Sequence, residues 1–129
     1  MRPYTLMFIV ATLLLGGCST KNRYEREADK ITQAVIANNM APVAGDFDSQ
    51  ARAMITRVAV ARLSDELNSQ GQYQSIHEVQ VQNEPPNTHT LAAKFEKHTY
   101  TELLVLDDDG KVRGWHMHMQ APAAPTSTP

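Results

Sequence analysis

The sequence predicts an α+β domain, with N-terminal helices packed on a curved four-stranded antiparallel sheet, and three observations predict it. Apolar residues recur at helical spacing up to about residue 70, the period changes to alternation after Gly71, and turn residues divide the remainder into four strand-length segments. At 129 residues the chain has room for one such domain, so any functional group must sit on a single small scaffold.

Asn22, followed three positions later by Glu25, reads as a capping-box-like helix start with Asn in place of the usual Ser or Thr. Tyr24, Ala28, Ile31 and Val35 then fall at one-turn spacings, which predicts an amphipathic helix over 23–38 that Asn38, Asn39 and Pro42 bring to an end. Asp46 or Asp48 can cap a second helical segment. In it Met54, Val58 and Ala61 share one face, flanked by Ile55, Val60, Leu63 and Leu67, and Gly71 stands where a helix stop is expected. Strands are predicted over 73–82, 88–97, 100–106 and 111–119, with Pro85 and Pro86 breaking the chain between the first two. Leu91, Ala93 and Phe95 alternate with polar or small neighbours, giving the second strand one core face. Asp107 to Gly110 form a tight-turn signal before the last strand. Leu103, Leu104, Val105 and Leu106 are apolar at both parities, so the face of the third strand turned away from the helices needs a cover: a pocket, a second copy or a partner protein. Residues 121–129, with Pro122, Pro125 and Pro129 among Ala, Ser and Thr, have nothing to bury and are expected to be disordered.

Ahead of this domain, Arg2 supplies a positive start and Tyr4 to Leu15 form an apolar run of about 12 residues, too short to cross roughly 30 Å of hydrocarbon as a helix. Leu15-Gly16-Gly17-Cys18 closes the run and resembles the bacterial lipobox. The resemblance implies that residues 1–17 are a lipoprotein signal peptide cut between Gly17 and Cys18. It also implies that Cys18 is lipidated with fatty acyl chains such as palmitate, and that residues 18–22 are the lipidated N-terminus and a short spacer before a domain over 23–120. Two or more acyl chains anchor stably, so the membrane is the expected partner. By similarity to lipoproteins of Gram-negative bacteria, Ser19 in place of Asp implies the outer membrane, facing the periplasm. Removing the first 17 residues takes away one basic residue, Arg2, and no acidic one, so the net charge moves from −2 to −3. That balance argues against a nucleic-acid-binding protein, which needs a basic stripe to neutralise phosphates.

Few residues carry a chemical signal. The single cysteine is spent on the anchor, so neither a disulfide within the chain nor a cysteine metal cluster is expected. In Trp115-His116-Met117-His118-Met119, strand alternation puts His116 and His118 on one face and Trp115, Met117 and Met119 on the other. The two imidazoles are weak candidates for a Zn²⁺ or Cu²⁺ site. A third ligand would have to come from His77, His89, His98 or a carboxylate, and the preferred reading of the same residues is a half-buried strand with Trp and Met inside and His in water. Asp107, Asp108 and Asp109 do not fit a calcium loop, since Gly110 at its sixth position would put Val105 and His116 where carboxylates belong. Glu102, in parity with Tyr100 and Leu104, and His77, among Ser75, Val79 and Val81, are the two residues that could line an acid/base pocket. No nucleophile elbow or phosphate loop is present in the sequence, and no cofactor is expected.

The order helix, helix, Gly71-Gln72-Tyr73-Gln74-Ser75-Ile76, then alternating strands ending in Leu106-Asp107-Asp108-Asp109-Gly110-Lys111-Val112-Arg113-Gly114, resembles the small cystatin-like domains of unknown function. These stand near the nuclear-transport-factor-two-like superfamily. The resemblance covers roughly residues 43–119 and implies a curved sheet wrapped on a helix. Its motifs are turn and packing residues, so it transfers no catalytic residue. The sequence therefore points to a membrane-anchored, non-enzymatic binding or assembly module that holds a protein partner or self-associates through its sheet. The alternative is a small-molecule-binding or enzymatic domain using the concave sheet face, and a histidine-based metal binder comes third.

Overall fold

The computed structural model describes residues 20–82 and 87–121. The apolar leader, Cys18, the prolines at 85 and 86 and the tail from Pro122 lie outside them.

Helix α1 runs Arg23–Ile36 and opens on both halves of the expected capping box. Asn22 Oδ1 accepts from the Glu25 amide at 2.8 Å, and Glu25 Oε2 accepts from the Asn22 amide at 3.1 Å. It ends two residues short of the predicted boundary, because Asn38 takes a positive φ of 50° that turns the chain out of the helix. After a 3-10 turn over Ala41–Asp46, the predicted second helix is in fact two: α2, Ser49–Met54, and α3, Arg57–Asn68. Asp48 caps the first and Thr56 the second, each side-chain oxygen accepting an amide hydrogen three residues on. The β-branched pair Ile55-Thr56 is where the helix breaks, since the Thr56 hydroxyl offers the backbone a better partner as a cap than within a helix. Restarting there resets the phase. Val60, Ser64 and Leu67 point inward, whereas Met54 and Val58, expected on the apolar face, are 77% and 70% exposed.

At the end of α3, Gly71 adopts φ +82°, and a Cβ on it would come within 2.5 Å of the Glu96 carboxylate, so the reversal into the sheet requires glycine. Strands β1 (Tyr73–Gln82), β2 (Thr88–Phe95), β3 (Thr99–Leu106) and β4 (Val112–Met119) form an antiparallel meander in the order β1-β2-β3-β4. The β3–β4 turn is the one expected at Asp107–Gly110. Asp107 Oδ1 accepts from the amides of Asp109 and Lys111, and Gly110 sits at φ +77°. The molecule is thus an α+β fold: helices followed by a four-stranded open sheet.

The inner face carries Leu91, Ala93, Phe95, Tyr100, Leu104, Leu106, Val112 and Met117, which pack with Ala28, Ile31 and Val35 of α1 into one core. α1 lies against β1, β2 and β3, and α3 packs on α1. The parity of β3 is thereby assigned: Leu104 and Leu106 are buried, while Leu103 and Val105 stand half-buried on the outer face.

Candidate functional site

The only fully buried carboxyl among the described residues is Glu102, on the inner face of β3 between Tyr100 and Leu104. Thr32 of α1, also fully buried, donates its hydroxyl to Glu102 Oε2 at 2.8 Å, and the Trp115 indole N–H of β4 donates to Oε1. Both oxygens are satisfied, so the side chain joins α1 to β4 through the core. Burial pushes its carboxyl up to about 8, against the two donors, which favour the ionised form, and with help from the nearby charge of Asp29. Asp29 lies in a neighbouring chain of polar groups. The Tyr73 hydroxyl donates to it at 2.6 Å and the Lys21 ammonium at 2.9 Å. Burial works to raise the Asp29 carboxyl, but these hydrogen bonds outweigh it and hold it below the ordinary range.

His77, the second residue read as a pocket candidate, is exposed on the outer face, where it pairs with Ala92. The structure therefore does not bring His77 and Glu102 together: the sheet separates them. Two other histidines go to structural duties. His89 Nδ1 meets Glu78 Oε2 at 2.6 Å beneath the stacked ring of Tyr24, and His98 Nδ1 meets Gln70 Oε1 at 2.5 Å. His116 and His118 are both exposed on the outer face of β4, with ring centroids 5.7 Å apart. His77 lies in the same cross-sheet row as His118, through Ala92 and Thr101, but three strands away, about 14 Å at the usual strand spacing. No group of three His, Cys, Asp or Glu that could hold a metal occurs among the described residues of one copy.

An apolar opening lies on the other side of β4. A cleft of about 400 Å³ is lined by Val35, Met40, Met54, Ile55, Ala59, Val60, Leu63, Trp115 and Met117, with Arg62, Glu66 and His116 at its polar margin. A second cleft, of about 460 Å³, shares Met40, Ile55 and Val60 and continues it toward Asn38 and Arg57. The break between α2 and α3 produces this space, because it swings Met54 and Ile55 to the rim. Sequence reasoning put Met54 and Val58 on one face of a single helical segment and so missed the cleft. The usable signal was Thr56 followed by a fresh helical run.

The cleft opens beside a free sheet edge. The Gln120 amide donates to Thr99 O at 2.9 Å, so by antiparallel alternation the backbone groups of Trp115, Met117 and Met119 point away from β3. Among the described residues, the one backbone bond to this edge is at its start, where the Asp48 amide donates to Val112 O at 3.0 Å and Phe47 bridges Val112 in parallel. The opposite edge is treated differently. β1 carries two register irregularities, and Glu25 Oε1 accepts the Glu78 amide hydrogen at 2.9 Å. Bulges and a capping side chain are devices that blunt an edge, and from Gly114 to Met119 the register of β4 shows neither.

No family model matches the chain, and no curated protein or solved structure is significantly similar to it.

Proposed function

We propose that the protein is a lipid-anchored, non-enzymatic binding or assembly module of the bacterial envelope, and that β4, with its free edge and apolar cleft, is its contact surface. The observation that carries this reading is the contrast between the two candidate sites. Glu102 is fully buried and hydrogen-bonded at both oxygens, whereas the β4 edge joins backbone groups left free among the described residues to an apolar recess. An edge of that kind recruits an extended segment by backbone hydrogen bonds, while neighbouring pockets take alternate side chains. The anchor reading rests on the Leu15-to-Cys18 run, and the cystatin-like resemblance is carried with it as a description of the scaffold.

A photo-activatable residue at Met54, on the cleft rim, should yield defined adducts when the lipidated protein is irradiated in envelope membranes. The same probe at Asp65, an exposed position on α3, serves as the control. Defined adducts from Asp65 and none from Met54 would defeat the reading.

A further inference from the structure

Antiparallel symmetry joins the free edge of β4 to the two histidines on its outer face. We propose that two copies of the chain pair antiparallel through β4, about a two-fold axis at Met117, and that His116 and His118 of both copies hold one divalent ion of the Zn²⁺ or Cu²⁺ class. The proposal rests on the reading of the β4 edge as the contact surface and names its partner: a second copy.

The register follows from which backbone groups the edge leaves free. At the start of β4, Val112 O already accepts the Asp48 amide hydrogen, so pairing with another strand stops there. Beyond it Trp115, Met117 and Met119 are the residues whose backbone groups point outward, and antiparallel pairing about Met117 engages all three: Met117 with the partner's Met117, and Trp115 with the partner's Met119.

On the outer face this register sets His116 opposite the partner's His118, and His118 opposite the partner's His116. Cβ atoms directly opposite each other lie about 5 Å apart, and those two residues apart on a strand about 7 Å, so four imidazoles surround one point. One copy offers two ligands, too few for a tight site, whereas two copies offer the four nitrogen donors that suit tetrahedral zinc or tetragonal copper. His116 and His118 are exposed and make no hydrogen bond among the described residues, so their rings can rotate to share an ion. On the inner face Trp115, Met117 and Met119 meet their counterparts beside the cleft, and Met119, 40% exposed in one copy, gains cover.

The metal is needed as well as permitted. A stretch this short buries far less than the roughly 1,000 Å² that a stable interface requires, so without the ion the copies should stay apart.

Sedimentation equilibrium of the full chain in density-matched detergent, with and without ZnCl₂, tests the proposal. Zinc should tighten self-association by about 100-fold through linkage, with one ion bound per two chains, and chelator should reverse it. Copper should give a spin-resonance spectrum with nitrogen couplings from several imidazoles. The His116→Ala/His118→Ala double variant should keep the wild-type melt and lose both responses. A wild-type chain that stays monomeric with zinc, or a dimer that forms without metal and survives the double substitution, would overturn the metal bridge. If the Met54 probe still gave adducts in that case, the contact-surface reading would stand without it, and if it gave none, both would fall.

Discussion

Glu102 makes the stability of the fold depend on pH. An ordinary glutamate, with its pKa near 4.5, is ionised in the unfolded chain at neutral pH, whereas the buried carboxyl holds its proton up to about 8. The folded state therefore binds a proton that the unfolded state has released, and its advantage is complete below 4.5 and lost as pH rises through about 8. The thermal midpoint should fall from about pH 5 to about pH 9. In Glu102→Gln, where the amide can accept from Trp115 and donate to Thr32, the curve should flatten over that range and the variant should overtake the wild type at its alkaline end. A wild-type midpoint that stays level or rises would contradict this account. That Glu102 shares a strand face with Tyr100 and Leu104 was legible in the sequence, but which face turns inward was not, because Leu103 to Leu106 are apolar at both parities. The partners of Glu102 were not legible either, because Thr32 lies 70 residues away on α1 and nothing local in the sequence couples the two positions.

On the third strand the two parities should respond differently to the same chemistry. Leu104→Thr/Leu106→Thr puts hydroxyls into a closed core and removes several methyl groups, so cooperative melting should be lost or the midpoint greatly reduced. Leu103→Thr/Val105→Thr changes half-buried outer positions and keeps strand propensity, so the melt should shift by only a few degrees. Equal damage from both pairs would mean that the outer face is as closed as the inner one. Among the helices, Thr56→Ala removes the cap on which α3 restarts and should cost about 1 kcal/mol in a denaturant titration. The strands were readable because a period of two survives local irregularity, and each predicted strand falls within two residues of the observed one. The split between α2 and α3 was not, because Met54 and Val58 keep helical spacing across the break, and periodicity alone cannot tell one helix from two that change phase at a cap.

For the whole molecule, Cys18→Ser should release the protein from envelope membranes or leave it as uncleaved precursor. A variant that fractionates and migrates like the wild type would remove the anchor from the account. The proposed tether would also bear on orientation. α1 begins at Arg23, whose guanidinium would lie 3.7 Å from a Cβ on Gly110, so the N-terminus leaves the helical layer at the end of the sheet where β3 turns into β4. Four residues stand between Cys18 and Arg23, five Cα steps in all, a reach of about 17 Å at full extension. Under the proposed pairing and anchor, two antiparallel copies would send those sheet ends in opposite directions, so strands standing upright on a bilayer would lift one of the two anchors away from it. Both anchors would reach one membrane only with the paired sheet lying flat and its two-fold axis along the bilayer normal. The helical layer would then face the lipid, and the four imidazoles would face the aqueous side, roofing the surface and open to whatever ion or ligand arrives from above.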